Sequence, residues 1–148
     1  MQNIKFFSHT ADVEFESYGA TLEKAFENAA IALFGVMTNI KKVKPKIKKK
    51  INIESEDLES LLYDFLEKFL ILLDSENMVF SKFDVKKITM NEKSKKFKLK
   101  AEAYGEKFDE KRHESKTLVK AITYHGMHIG RKRVASKEMH FVHALLDI

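Results

Sequence analysis

The chain has 148 residues and a mass of 17.2 kDa, the size of one domain that buries roughly 68–70% of its unfolded surface. It has no Cys, which excludes disulfides, zinc ribbons, iron–sulfur clusters and thiol catalysis, and 44% apolar residues with 12 Phe exclude a disordered chain. The net charge of +5 is local: residues 41–50, KKVKPKIKKK, carry seven Lys and no acid, and without them the balance turns slightly acidic. A nucleic-acid footprint spread over the whole surface is therefore not expected, whereas a local one is. No apolar run approaches the roughly 18 residues of a membrane span, and the first residues lack the apolar core of a signal peptide. The expected compartment is the cytoplasm, with no membrane partner.

In chain order, Val13, Phe15 and Ser17 alternate with Glu14, Glu16 and Tyr18, predicting a half-buried strand that ends at Gly19. The residues before it, Ser8 to Asp12, read as a loop. Thr21 can cap a helix with Glu23 in its first turn. Leu22, Ala25, Phe26, Ala29, Ala30, Leu33, Val36 and Met37 recur at helical spacing behind it. From Val43 to Ile53 the odd positions are mostly apolar, while Lys42, Lys44, Lys46, Lys48 and Lys50 occupy the even ones. This predicts a strand with a lysine face, with Pro45 holding it to a sheet edge or marking its irregular start. Lysines on an edge repel a second edge, and the same ammonium groups suit phosphates of RNA or a partner's acids.

A second helix follows Ser55 or Asp57, its stripe from Leu58 to Leu73 broad enough to need burial on more than one side. Met78 to Ile88, a turn at Asn91–Ser94, and Phe97 to Gly105 predict a hairpin. Residues 106–117 read as a charged loop, Leu118–His125 as a strand, 130–137 as a turn region and Met139–Leu146 as the last strand. Two long helices with six or seven strands predict an α+β fold: two layers, a largely antiparallel sheet or sheets with the helices packed on them, in a single domain spanning 1–148.

Three constellations could carry chemistry. His125 and His143, with His128 and His140, would face each other across a hairpin centred on Val134, short of the three ligands usual for catalytic zinc. Asp12 and Asp147 lie beside apolar strands near the two ends of the chain. Exposed loop and tail acids would account for them. Were the first and last strands neighbours, these carboxylates and the Ile148 carbonyl or carboxylate would form an oxygen-only set suited to calcium or magnesium. Lys120, inside an apolar run, is either a snorkelling side chain or a positioned cation. There is no GxGxxG, Walker loop, HExxH or GxSxG.

The sequence His9-Thr10-Ala11-Asp12, Tyr18-Gly19 and the Thr21–Ala30 helix resembles the opening of the archease family. So do Glu56–Tyr63, Ala103-Tyr104-Gly105-Glu106 with Arg112-His113-Glu114, Val119–Gly126 and the closing Leu146-Asp147-Ile148, all in family order. The resemblance implies a non-catalytic activator of the RNA ligase that joins tRNA halves through a 3′-phosphate or cyclic-phosphate end. It implies promotion of that ligase's GTP-dependent guanylylation and of its repeated turnover in tRNA splicing. It also implies a possible tRNA methyltransferase partner and indirect contact with tRNA. By similarity Asp12, Asp147 and Ile148 bind a divalent cation, calcium being the ion usually assigned, and Lys120 matches a lysine needed for ligase activation. Ser8 departs from the family, which often carries Asp there. The competing readings are a small RNA-binding module built on Lys42–Lys50 and a metal-dependent hydrolase built on the C-terminal histidines.

Overall fold

A computed structural model describes residues 3–7 and 12–148. The His9-Thr10-Ala11 stretch and Ser8 lie outside the described residues. The chain begins with β1 (Ile4–Phe7) and β2 (Asp12–Gly19), so Asp12 opens a strand rather than sitting in a loop. The Thr21 hydroxyl accepts from the Lys24 N–H at 3.1 Å and starts α1 (Leu22–Met37). A 3-10 turn (Ile40–Lys42) and an extended link lead to β3 (Ile47–Ser55). Asp57, not Ser55, caps α2 (Leu58–Glu76), in a capping box with Ser60. Asn77, at φ 56, ends that helix in the left-handed conformation. Then come β4 (Met78–Met90), β5 (Phe97–Lys107), β6 (Ala121–Val134) and β7 (Lys137–Asp147).

Two antiparallel sheets result, one in the order β1-β2-β7-β6 and the other β3-β5-β4. The fold is α+β, as the pattern predicts. α1 packs on β2 and β7 of one sheet and β4 of the other, while α2 packs on β6 and on β3 and β5. Each helix therefore touches both sheets, which is why both stripes are broad. The shared core is aromatic: Phe34 meets Phe69, Phe80 and Phe83 at centroid distances of 5.7 Å each. Each such side chain contributes about 1.5–3 kcal/mol by leaving water. Two α1 glutamates serve the strands directly. Glu27 accepts from the Val85 N–H at 2.8 Å and Glu23 from the Ile88 N–H at 3.1 Å.

Three sequence expectations shift. β3 starts two residues beyond Pro45, so Lys42, Lys44 and Lys46 precede the strand and only Lys48 and Lys50 stand on its outward face. β4 does not alternate strictly: register shifts between Phe80 and Lys82 and between Val85 and Lys87 return Phe83 and Ile88 to the inner face. β6 continues through Gly130 to Val134, and the turn falls at Ala135 and Ser136, both with positive φ (50 and 68). Gly130 is there for another reason, since a Cβ at that position would lie 3.2 Å from the Phe141 ring.

Gly105 of β5 pairs with Phe80 of β4. A Cβ built there would meet the Val79 carbonyl oxygen at 1.9 Å, a contact that only backbone movement relieves. Gly105→Ala is expected to lower the melting temperature by roughly 5–10 °C in a circular dichroism scan, and an unchanged midpoint would contradict this packing.

Candidate metal and activation site

Because β2 runs against β7, the start of β2 meets the end of β7. Asp12 and Asp147 are direct cross-strand partners, and Ala121 of β6 is partner to Asp147 on its other side. Directly opposed residues project from the same face, so the two carboxylates stand side by side on the outer face of the four-stranded sheet. Neither has a hydrogen-bond or ion-pair partner among the described residues. Like charges directly opposed across strands are destabilising on their own, and a cation relieves them. Ile148 follows at once, half-buried against the core. Two carboxylates and a main-chain oxygen are hard donors of the kind that calcium and magnesium take, with water completing the shell. The residues present fit such an ion.

Lys120 lies just before β6, exposed, rather than inside a strand. Its backbone N–H donates to the Asp147 carbonyl at 2.7 Å, tying it to the same corner. The segment leading to it is held from two sides. Arg112 grips Glu106 through both terminal nitrogens, at 2.9 and 3.2 Å, and the His113 ring lies 2.9 Å from Glu106 Oε2. The Lys44 N–H donates to the same carboxylate at 2.8 Å. Further on, the Lys116 and Thr117 N–H groups donate to the Met37 and Val36 carbonyls, which the end of α1 leaves open, and the Thr38 hydroxyl donates to the Glu114 carbonyl.

The C-terminal histidines do not form the pairs expected from a hairpin centred on Val134. β6 carries a bulge between Thr123 and His128, so His125 has no partner in β7 and His128 faces His143. His140 faces Arg131. Gly126, at φ +71, lets the bulge turn, and Tyr124 within it stacks on Tyr63 of α2 at 4.3 Å. His143 is consumed elsewhere. Its Nδ1 lies 2.7 Å from Glu16 and its Nε2 is against Glu14, so each ring nitrogen points at a different carboxylate and none converges on one ion. No group of three His, Asp or Glu side chains able to hold a metal occurs among the described residues. Glu16 also accepts from Lys132 and Tyr18, each at 2.6 Å. Burial pushes the Glu16 carboxyl up, but Lys132, Tyr18 and His143 outweigh it and hold it at about 2. The alternation of Glu14 and Glu16 is visible in sequence; their shared partner, 129 and 127 residues away, is not.

The lysine run divides in the fold. Lys42 pairs with Glu114 at 3.5 Å, Lys48 with Glu102 at 3.7 Å, and Lys49, from the other side of the strand, with Glu76 at 2.6 Å. Lys44 and Lys46 lie in the link, where the Lys46 N–H donates to Gly105. Lys50 is exposed, with no ion pair among the described residues.

Glu106 generates a pH dependence. The Arg112 guanidinium, aided by the Lys44 N–H and His113, holds its carboxyl at about 2 against the opposing effect of burial. A carboxyl lowered from 4.5 stabilises the fold fully above its unfolded value and loses that contribution as pH falls towards 2. Urea unfolding is therefore expected to show stability declining between pH 4.5 and 2. Glu106→Gln should lose about 2 kcal/mol at pH 7 and show a flatter decline; a decline as steep as wild type would contradict the assignment.

Against known proteins, the family model described as the Archease protein family (MTH1598/TM1083) matches residues 5–148. Protein archease from Pyrococcus furiosus is 50% identical over 131 residues, covering 88% of this chain and 90% of that protein. Protein archease from Sulfurisphaera tokodaii is 49% identical over 132 residues, covering 89% and 91%. The solution structure of Methanobacterium thermoautotrophicum protein 1598 superposes with a TM-score of 0.78 at 36% identity over 100% of both chains. This chain belongs to the archease family.

Proposed function

We propose that this protein is a metal-binding accessory factor of the tRNA-splicing RNA ligase, promoting the ligase's GTP-dependent guanylylation and its repeated turnover. The observation that carries the reading is the carboxylate pair Asp12–Asp147, without a partner among the described residues, with Lys120 tied to the same strand end. Family membership supports it, since the archease family model matches residues 5–148.

Asp12, Asp147 and the Ile148 main chain would hold the ion, with calcium the choice for an all-oxygen set that keeps water. When bound, the ion supplies positive charge at a protein surface, where triphosphate oxygens gather. Guanylylation requires a protein nucleophile to approach an α-phosphate while pyrophosphate leaves. Fixing these groups in line lowers the entropic part of that barrier. Lys120 contributes an ammonium whose backbone is anchored and whose head is free in solvent, a donor suited to a phosphate oxygen. The chemistry remains the ligase's own.

The decisive test combines the protein with the ligase from the same cell, GTP and a divalent ion, and reads guanylylated ligase. Lys120→Ala is expected to keep a wild-type circular dichroism spectrum and to lose stimulation by at least tenfold. Equal stimulation by variant and wild type would reject the role. The ion has its own assay: Asp147→Asn should give no calcium binding heat by titration calorimetry while melting within a few degrees of wild type. Retained calcium binding would remove Asp147 from the ligand set.

A further inference from the structure

The outward face of the β3-β5-β4 sheet is built from lysines of all three strands. The register sets Lys50 beside Glu102 and Asp84, and Asn52 beside Lys100 and Lys87. Lys86, at the second irregularity of β4, reaches onto the same face to Asp84 and Glu102. Lys48, Lys82 and Lys98 extend the face on either side. The three acids Glu54, Asp84 and Glu102 are all engaged, by Lys98, Lys86 and Lys48 among others. Lys50, Lys87 and Lys100 have no ion-pair partner among the described residues and are exposed. Lys50, Lys86 and Lys100 line one shallow hollow with Asn52.

Lys100 and Lys87 are direct cross-strand partners. Two ammonium groups so placed repel each other, and the fold gains nothing from the pair. A polyanion lying across them turns that repulsion into attraction and releases its own counterions. Side chains two residues apart on a strand are about 6.8 Å apart, and neighbouring strands about 4.8 Å, so the face offers a two-dimensional grid of cations to a flexible backbone. The face has no exposed apolar anchor, and Tyr104 beneath Lys82 is its one aromatic side chain. Protein-binding surfaces concentrate aromatic anchors and are depleted in Lys, so an acidic protein is the poorer match.

We infer that this sheet face is a sequence-independent binding platform for the phosphodiester backbone of RNA, centred on Lys50, Lys87 and Lys100. It is separate from the Asp12–Asp147 corner, which belongs to the other sheet, and does not depend on the activator reading.

The test is fluorescence anisotropy of the full chain with a labelled 20-nucleotide single-stranded RNA. An oligoglutamate peptide and vesicles containing phosphatidylserine serve as competing polyanions. Dissociation constants of about 10⁻⁶–10⁻⁴ M at physiological salt are expected, with affinity falling as salt rises. The triple variant Lys50→Gln, Lys87→Gln, Lys100→Gln should weaken RNA binding at least tenfold and reduce the log–log salt slope by about 2. A variant with the same charge change elsewhere, Lys41→Gln, Lys111→Gln, Lys137→Gln, should bind as wild type does. Equal loss in the two variants, no RNA binding by wild type, or tighter binding of the peptide or vesicles through the same three lysines would each overturn the inference. Loss of ligase stimulation by Lys120→Ala has no bearing on it.

Discussion

The register of β2 against β7 is the constraint from which the candidate site follows. Eight consecutive pairs, from Asp12–Asp147 to Gly19–His140, fix which residues face α1 and which face out. Phe15 and Ala144 go inward together and are fully buried, while Glu16 and His143 go outward together. A slip of one residue would exchange the two sets and bury the charges. Apolar burial thus specifies the position of two carboxylates that themselves contribute nothing to the core. The cost of opposing them is borne by the packing on the inner side of the same strands.

The second organising element is Glu106. Its two oxygens receive Arg112, His113 and the Lys44 N–H, so two distant parts of the chain converge on one carboxylate. Removing a buried charged acceptor leaves its donors unsatisfied, which is costly out of proportion to any single bond. The segment 108–120 has no helix or strand of its own; it is ordered by this hub at one end and by the C-terminal carbonyls of α1 at the other. Lys120 emerges from an irregular segment with the positional definition of a strand residue.

Much of this was legible in the sequence where the determinants are local. Thr21 and the apolar stripes of α1 and α2 declare themselves within one turn or two, and the α+β class follows from their order. Pro45 likewise announces that β3 starts late and lies at an edge. What periodicity hides is any change of period. The irregularities in β4 put Phe80 and Phe83 on one face although they are three residues apart, and the bulge in β6 removes His125 from the ladder. The hairpin turn was obscured because Ala135 and Ser136 adopt a conformation usually signalled by Gly or Asn. Nothing local indicates that Glu14 and Glu16 meet His143, or that Lys100 meets Lys87. Such contacts are set by pairing across long stretches of chain. The meeting of Asp12 with Asp147 was readable only as a condition on strand order, a condition the topology meets.

The two glutamates of α1 that hold the Val85 and Ile88 amides bear on how this molecule opens. β4 is one of the two outer strands of its sheet, a place where fraying ordinarily begins. Here its amides are fastened by side chains of a helix that also packs on the other sheet. Peeling β4 away therefore means either breaking these bonds or lifting α1 from β2 and β7, so the helix ties the two sheets together and partial opening from that side is opposed.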